Sequence, residues 1–241
     1  MEQVHGPYPH PVFGNCLEVG LTPDKTCSFD CIYCNRGKTI AKTIQRKEWF
    51  PLEPFLEELA RFLAARPDMV LLSGNGEPTL NARIGELIEA IHAAALPVAV
   101  STNGSLLSSE AVRRDLNRAD VVLLSLSAAE ESMFEAICRP HRGIRFEQFL
   151  EGIKRFQSGF PGRFWVEPFF LAGHTALLWE AKKIAALVNE LGAERIIVNT
   201  ATQPPLEEYA VRTSTSRLKS LATLFSPKGE VSTELSYAAV A

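Results

Sequence analysis

Apolar residues fall at two alternating spacings along most of the chain. Leu52, Phe55, Leu56, Leu59, Phe62 and Leu63 recur at helical intervals, with Glu57, Glu58 and Arg61 mainly on the other side. Met69–Ser73 is then a short apolar run closed by Gly-Asn-Gly, the pattern of a buried strand and its turn. Ile84, Leu87, Ile88, Ile91 and Ala95 mark a second amphipathic helix, and Val98–Thr102 a strand closed by Asn-Gly. A helix over 109–117 leads to the strand Val121–Ser125, and the capping-box spacing of Ser127 and Glu130 predicts a helix start there. A strand over 164–171, a helix over 177–191 stopped by Gly192, and a strand over 195–200 follow, while 17–21 supplies the first strand.

Repeated strand–helix–strand order implies parallel strands, because each crossover helix returns the chain to the same end of the sheet. About six units fit, short of the eight of a closed barrel. The expected fold is α/β: an open, partial (β/α)6 TIM-type barrel with its site at the C-terminal ends of the strands. Residues 1–205 form this core. Residues 206–241 form a C-terminal extension in which 212–225 is one last helix and the final sixteen residues are loosely ordered.

Composition narrows the class. With 46% hydrophobic residues and a formal net charge of -3, the chain reads as an ordinary globular protein without global attraction to nucleic acid or anionic membranes. The richest apolar stretch, 91–100, is interrupted by His92 and Pro97 and is too short for a bilayer span of ~20 residues. The N-terminus lacks a basic stretch followed by an apolar one, so no secretory signal is expected. Five cysteines, three of them within eight positions, make a poor disulfide framework and a good metal-ligand cluster, which favours the cytoplasm.

That cluster is Cys27-Ser-Phe-Asp-Cys31-Ile-Tyr-Cys34, spacing C-x3-C-x2-C. Structural zinc wants four protein ligands. A cubane iron–sulfur cluster prefers one cysteine per iron, so three cysteines suggest a cluster with one iron open. The alternative is a zinc knuckle completed by Cys16, Cys138 or one of five histidines.

Cys27, Cys31 and Cys34, with Tyr33 just before the last, resemble the C-x3-C-x-aromatic-C signature of the radical S-adenosylmethionine (radical SAM) superfamily. The segments Gly74-Asn75-Gly76-Glu77-Pro78-Thr79, Thr102-Asn103-Gly104 and Leu124-Ser125-Leu126-Ser127 each follow a predicted strand, in that superfamily's order. Within it the chain is similar to the wyosine-type Fe–S oxidoreductases. Leu21-Thr22-Pro23, Arg139-Pro140-His141 and Asn199-Thr200 add to that likeness. The resemblance implies a [4Fe–4S] cluster on Cys27, Cys31 and Cys34, whose open iron binds S-adenosylmethionine for reductive cleavage and radical chemistry on an unidentified substrate. It implies SAM contacts from Tyr33, Gly74, Asn75, Gly76, Glu77, Thr102, Asn103 and Ser125, with Glu77 either touching the ammonium or bracing its loop. Ser127 reads more simply as a helix cap.

Two basic groups complete the inventory. Arg36, Lys38, Lys42, Arg46 and Lys47 could be a solvated face, a dock for an acidic electron donor such as flavodoxin or ferredoxin, or an attractor for a phosphate-bearing substrate. Arg139, His141, Arg142 and Arg145 form the second; Arg139 could pair with a carboxylate, and His141 could exchange protons. The tRNA-modifying relatives carry further upstream cysteines, whereas only Cys16 precedes Cys27 here. With the acidic balance, that argues against tRNA as substrate. Two rival readings are a non-catalytic iron–sulfur or zinc protein that keeps the fold, and an activator of another enzyme.

Overall fold

The computed structural model describes residues 3–201, 205–227 and 229–232. Six parallel strands form the body of one sheet: β2 (Gly14–Gly20), β5 (Met69–Ser73), β6 (Val98–Thr102), β7 (Val121–Ser125), β8 (Arg163–Glu167) and β9 (Arg195–Val198). Their order in the sheet is their order in the chain, so every crossover steps one strand in the same direction and the sheet curls without closing. Two strands absent from the sequence reading cover its edges. β1 (Val4–His10) pairs antiparallel with β2, and β10 (Glu230–Val231) pairs parallel with β9. A separate two-stranded ribbon joins β3 (Thr26–Cys27) to β4 (Ala41–Lys42).

The helices α1 (Leu52–Leu63), α2 (Ile84–Ala93), α3 (Glu110–Leu116), α4 (Glu131–Cys138), α5 (Phe146–Gly159), α6 (Leu178–Leu191) and α7 (Thr215–Ala222) follow the strands. Three expectations need correction, and one helix has no counterpart in the sequence reading. The helix expected at Ser127 starts at Glu131, because the Ser127 hydroxyl is engaged with Tyr33 at 2.7 Å rather than capping. The strand expected over 164–171 stops at Glu167, where Pro168 removes a ladder donor. α5 is the helix without a counterpart, although Phe146, Phe149, Ile153 and Phe156 keep helical spacing and are buried. Of the final sixteen residues, Glu230 and Val231 form a strand, while residues 228 and 233–241 lie outside the described residues.

The period-two alternation of the strands sorts their side chains into two apolar clusters. Val70, Leu72, Val98, Val100, Val122, Leu124, Val166, Ile196 and Val198 join the large cluster formed with the helices. Cys16, Leu71, Ala99, Leu123, Trp165 and Ile197 join Phe13 in a second, smaller cluster. Phe13 stacks on Trp165 at 5.5 Å and closes it. Two residues further along the same face of each strand, the side chains turn polar: Glu18, Ser73, Ser101, Ser125, Glu167 and Asn199. All but Asn199 are only half-buried, although the residues around them are buried. The inner face of the sheet therefore has an apolar floor and a polar, accessible mouth at the C-terminal strand ends.

Candidate active site at the strand C-termini

The cysteine loop leaves β2 and lies across that mouth. Its backbone is docked on the C-terminal end of α4: Asp30 N–H donates to the Cys138 carbonyl at 3.0 Å and Ile32 N–H to the Ile137 carbonyl at 2.9 Å. Arg139 ends α4 in a left-handed conformation. Its guanidinium reaches Glu207 and the Tyr209 hydroxyl, each at 2.6 Å, while Glu207 N–H donates to the Ile32 carbonyl. The segment after β9 is thereby latched to the cysteine loop. Arg139 does pair with a carboxylate, one belonging to the chain itself.

The Gly-Asn-Gly-Glu turn after β5 packs backbone to backbone on the same loop. Lys25 N–H donates to the Asn75 carbonyl at 2.7 Å and Glu77 N–H to the Thr26 carbonyl at 3.1 Å. Gly74 has φ +96, and a Cβ on Gly76 would sit 1.8 Å from the Thr26 carbonyl oxygen, so only glycine permits the approach. Glu77, 2% exposed, then braces the mouth. Its Oε1 accepts from Thr79 N–H, the Thr79 hydroxyl and the Thr102 hydroxyl, and its Oε2 accepts Asn103 N–H at 2.8 Å. Burial nevertheless pushes the Glu77 carboxyl above its ordinary range, with the four donors opposing.

Asn103 links this brace to the cysteines, its amide donating to Ser28 Oγ at 2.9 Å and lying 3.6 Å from Cys27 Sγ. Tyr33 is held by the Ser127 hydroxyl and by stacking on Phe169 at 4.2 Å. Ser125 faces Glu167, which also receives the Asn199 amide at 2.8 Å, and burial raises the Glu167 carboxyl above its usual range. Lys25, Ser28, Glu167 and Phe169 had no signal in the sequence, because each is defined by partners far away in the chain.

The first basic group does not form one surface. Arg46 is drawn inward to Asp115 at 2.6 Å, and Lys47 lies over the Trp49 ring. Arg36, Lys38 and Lys42 remain exposed beside Ile40, which is 78% exposed. His141 Nδ1 accepts Gly143 N–H, a local turn contact.

The thiols themselves are not gathered. Among the described residues, no three His, Cys, Asp or Glu side chains converge as a metal-holding group. Cys31, a free thiol, instead makes hydrogen-bonding contacts with Cys138 and Tyr33; the Cys138 contact and burial raise its thiol, and burial with the nearby Glu77 charge pushes Cys27 up to about 12. Burial thus makes Cys27 and Cys31 hold their protons more tightly than an ordinary cysteine, and ligation requires a metal to displace them. The donor set still fits an iron–sulfur cluster: three cysteines share one loop, and a buried cation faces one of them. Lys25, 5% exposed, donates from Nζ to Cys34 Sγ at 3.0 Å and, among the described residues, has no carboxylate within ion-pair distance. A buried ammonium calls for an anionic partner, which a thiolate-ligated cluster is.

Residues 22–176 match the family described as the Radical SAM superfamily. UPF0026 protein MJ1312 of Methanocaldococcus jannaschii is 31% identical over 208 residues, covering 85% of this chain and 65% of that protein. UPF0026 protein slr1464 of Synechocystis is 36% identical over 172 residues, 70% of this chain and 64% of that one. The chain thus spans less than two-thirds of the length of these relatives. Among solved structures, TYW1 with a lysine-pyruvate adduct bound superposes with a TM-score of 0.69 at 18% identity, over 89% of this chain and 74% of that one. A radical SAM methyltransferase from Sphaerobacter thermophilus superposes at 0.68 and 16% identity, over 90% and 65%. At these identities the superpositions establish a shared fold, in agreement with the partial barrel read from the strand pattern. The matched residues contain the cysteine loop and the polar strand ends after β5, β6 and β7, and this chain belongs to the radical SAM superfamily.

Proposed function

We propose that this chain is the core of a radical SAM enzyme in which Cys27, Cys31 and Cys34 hold a [4Fe–4S] cluster and the neighbouring strand ends bind S-adenosylmethionine. The observation that carries the reading is the placement of a three-cysteine loop over the polar mouth of the parallel sheet, locked there by the Gly74–Glu77 turn. When bound, the cluster and SAM supply one-electron cleavage of a sulfonium C–S bond and so start hydrogen abstraction from a substrate.

The chain's part is to position and to exclude water. Cys31 rotates away from Cys138 to join Cys27 and Cys34. Gly74, Asn75 and Gly76 bring backbone groups close to the ammonium of SAM. Glu77 has spent four acceptor positions on Thr79, Thr102 and Asn103, so its role is to fix those residues at the strand ends. Thr102 and Asn103 lie where the carboxylate or ribose of SAM is expected, Ser125 faces the same mouth, and Tyr33 flanks the adenine.

The substrate is a molecule other than tRNA, in keeping with the net charge of -3. Exposed Arg36, Lys38 and Lys42 around Ile40 suit an acidic electron donor of the flavodoxin or ferredoxin type. Five unpaired cysteines suit the reducing cytoplasm.

A second reading, four-thiolate zinc, is favoured by one observation: Cys138 lies beside Cys31. Anaerobic reconstitution with iron and sulfide, followed by SAM and a strong reductant, separates the two. Cluster absorption with release of 5′-deoxyadenosine, lost in Cys31→Ala and kept in Cys138→Ala, supports the enzyme. Tightly bound zinc that Cys138→Ala releases, with no SAM cleavage, overturns it.

A further inference from the structure

We infer that Lys25 is a positioning residue for the cluster: its ammonium hydrogen-bonds the Cys34 ligand sulfur and holds the cluster at a higher reduction potential. The inference rests on the proposal that Cys27, Cys31 and Cys34 carry a [4Fe–4S] cluster.

Three observations support it. The Lys25 backbone is clamped from both sides, since its N–H donates to the Asn75 carbonyl at 2.7 Å while its carbonyl accepts Ile40 N–H at 2.9 Å and Ala41 N–H at 3.2 Å. It is held with φ 51, a left-handed conformation uncommon for a residue with a long side chain. The structure therefore maintains an unfavourable backbone at a residue whose side chain reaches Cys34. The side chain is buried, and its partner is Cys34 Sγ at 3.0 Å rather than a carboxylate. Lysine normally keeps its ammonium in water or in an ion pair, because an unpaired buried cation is costly.

A loaded cluster resolves that cost. Three thiolates outweigh the charge of the oxidised core, so the ligated cluster is anionic, and reduction adds one more negative charge. A fixed cation in contact with a ligand sulfur stabilises the reduced state more than the oxidised one. The Gly-Asn-Gly turn thus has two tasks: it approaches the SAM side of the mouth, and its Asn75 carbonyl anchors the residue that tunes the cluster.

The test is a spectroelectrochemical titration of the reconstituted protein without SAM, followed by electron paramagnetic resonance, with iron and sulfide measured on every sample. In Lys25→Met the reduced-to-oxidised ratio, at the potential that half-reduces the native protein, is expected to fall about tenfold, a midpoint about 59 mV lower for a one-electron couple. Lys25→Arg, which keeps a cationic donor, is expected to recover most of that shift. A Lys25→Met protein with full iron content and an unchanged midpoint overturns the inference and leaves the cluster proposal standing. Failure of the native protein to assemble any cluster overturns both. Should Lys25→Met lose iron, spin-echo spectroscopy of the native protein labelled with 15N-lysine decides the matter. A lysine nitrogen coupled to the reduced cluster supports the contact, and its absence overturns it.

Discussion

Glu77 and Glu167 are both glutamates at the C-terminal ends of the strands, and both have carboxyl groups raised above the ordinary range by burial. Their surroundings differ. Glu77 accepts four hydrogen bonds from Thr79, Thr102 and Asn103, and its loop is pressed against the cysteine loop with no room for a side chain on Gly76. Glu167 receives the Asn199 amide and faces the Ser125 hydroxyl on the accessible inner face of the sheet. The β5–β6 side of the mouth is a finished scaffold, whereas the β8 side keeps acceptor capacity for something that enters. Hydrogen-bond saturation, together with the greater exposure of Glu167, separates a bracing carboxylate from one with bonds left to give.

Breaking the scaffold side has the largest expected effect. Gly76→Ala places a Cβ 1.8 Å from the Thr26 carbonyl oxygen and 2.6 Å from Thr22 Oγ1, and the Thr26 backbone has little room to yield. A loss of about 3 kcal/mol or more is expected, together with loss of iron uptake. Denaturant unfolding and iron content check it, and a variant within about 0.5 kcal/mol of native would refute the close-packing argument.

Glu77→Gln comes next. The amide cannot accept on both ends, so one of the Asn103 N–H or Thr79 donors loses its partner in a buried site, costing roughly 1–3 kcal/mol. Thermal unfolding of Glu77→Gln beside Glu167→Gln reads the contrast directly. Equal losses in the two variants would erase the distinction between the sides.

Tyr33→Phe removes the Tyr33–Ser127 bond and the hydroxyl's contact with Cys31, and keeps the ring stacked on Phe169. About 0.5–1.5 kcal/mol is expected, with cluster content unchanged.

The smallest effect is in pH. A raised carboxyl in the folded state favours folding at low pH, and that contribution is lost as pH rises through the folded value. For Glu167, native stability should decline from the ordinary carboxylate range upward through its raised value. Glu167→Gln should match the native protein in acid and gain on it as pH rises. Unfolding curves across that range test the sign, and a variant that loses ground with rising pH would show that Glu167 is stabilised as the anion.

Much of this molecule follows from local sequence alone. All six parallel strands and most helices follow from apolar periods, because a strand's two faces and a helix's buried stripe are written within a dozen residues. The cysteine spacing and the Gly-rich turn after β5 are likewise local signals, legible without the fold. The edge strands β1 and β10 escaped because they lack apolar runs and take their place from neighbours: β1 includes Gly-Pro and His, and β10 is two residues long.

Tertiary structure decided what each site residue does. Glu77 is a brace because Thr102 and Asn103 come to it from 25 and 26 residues away. Cys31 meets Cys138, and Lys25 meets Cys34, only once the loop folds back over the mouth. Periodicity encodes which face of an element is buried. It carries no information about which distant groups then share that space, and the hydrogen bonds and charges that give these residues their roles are made between such groups.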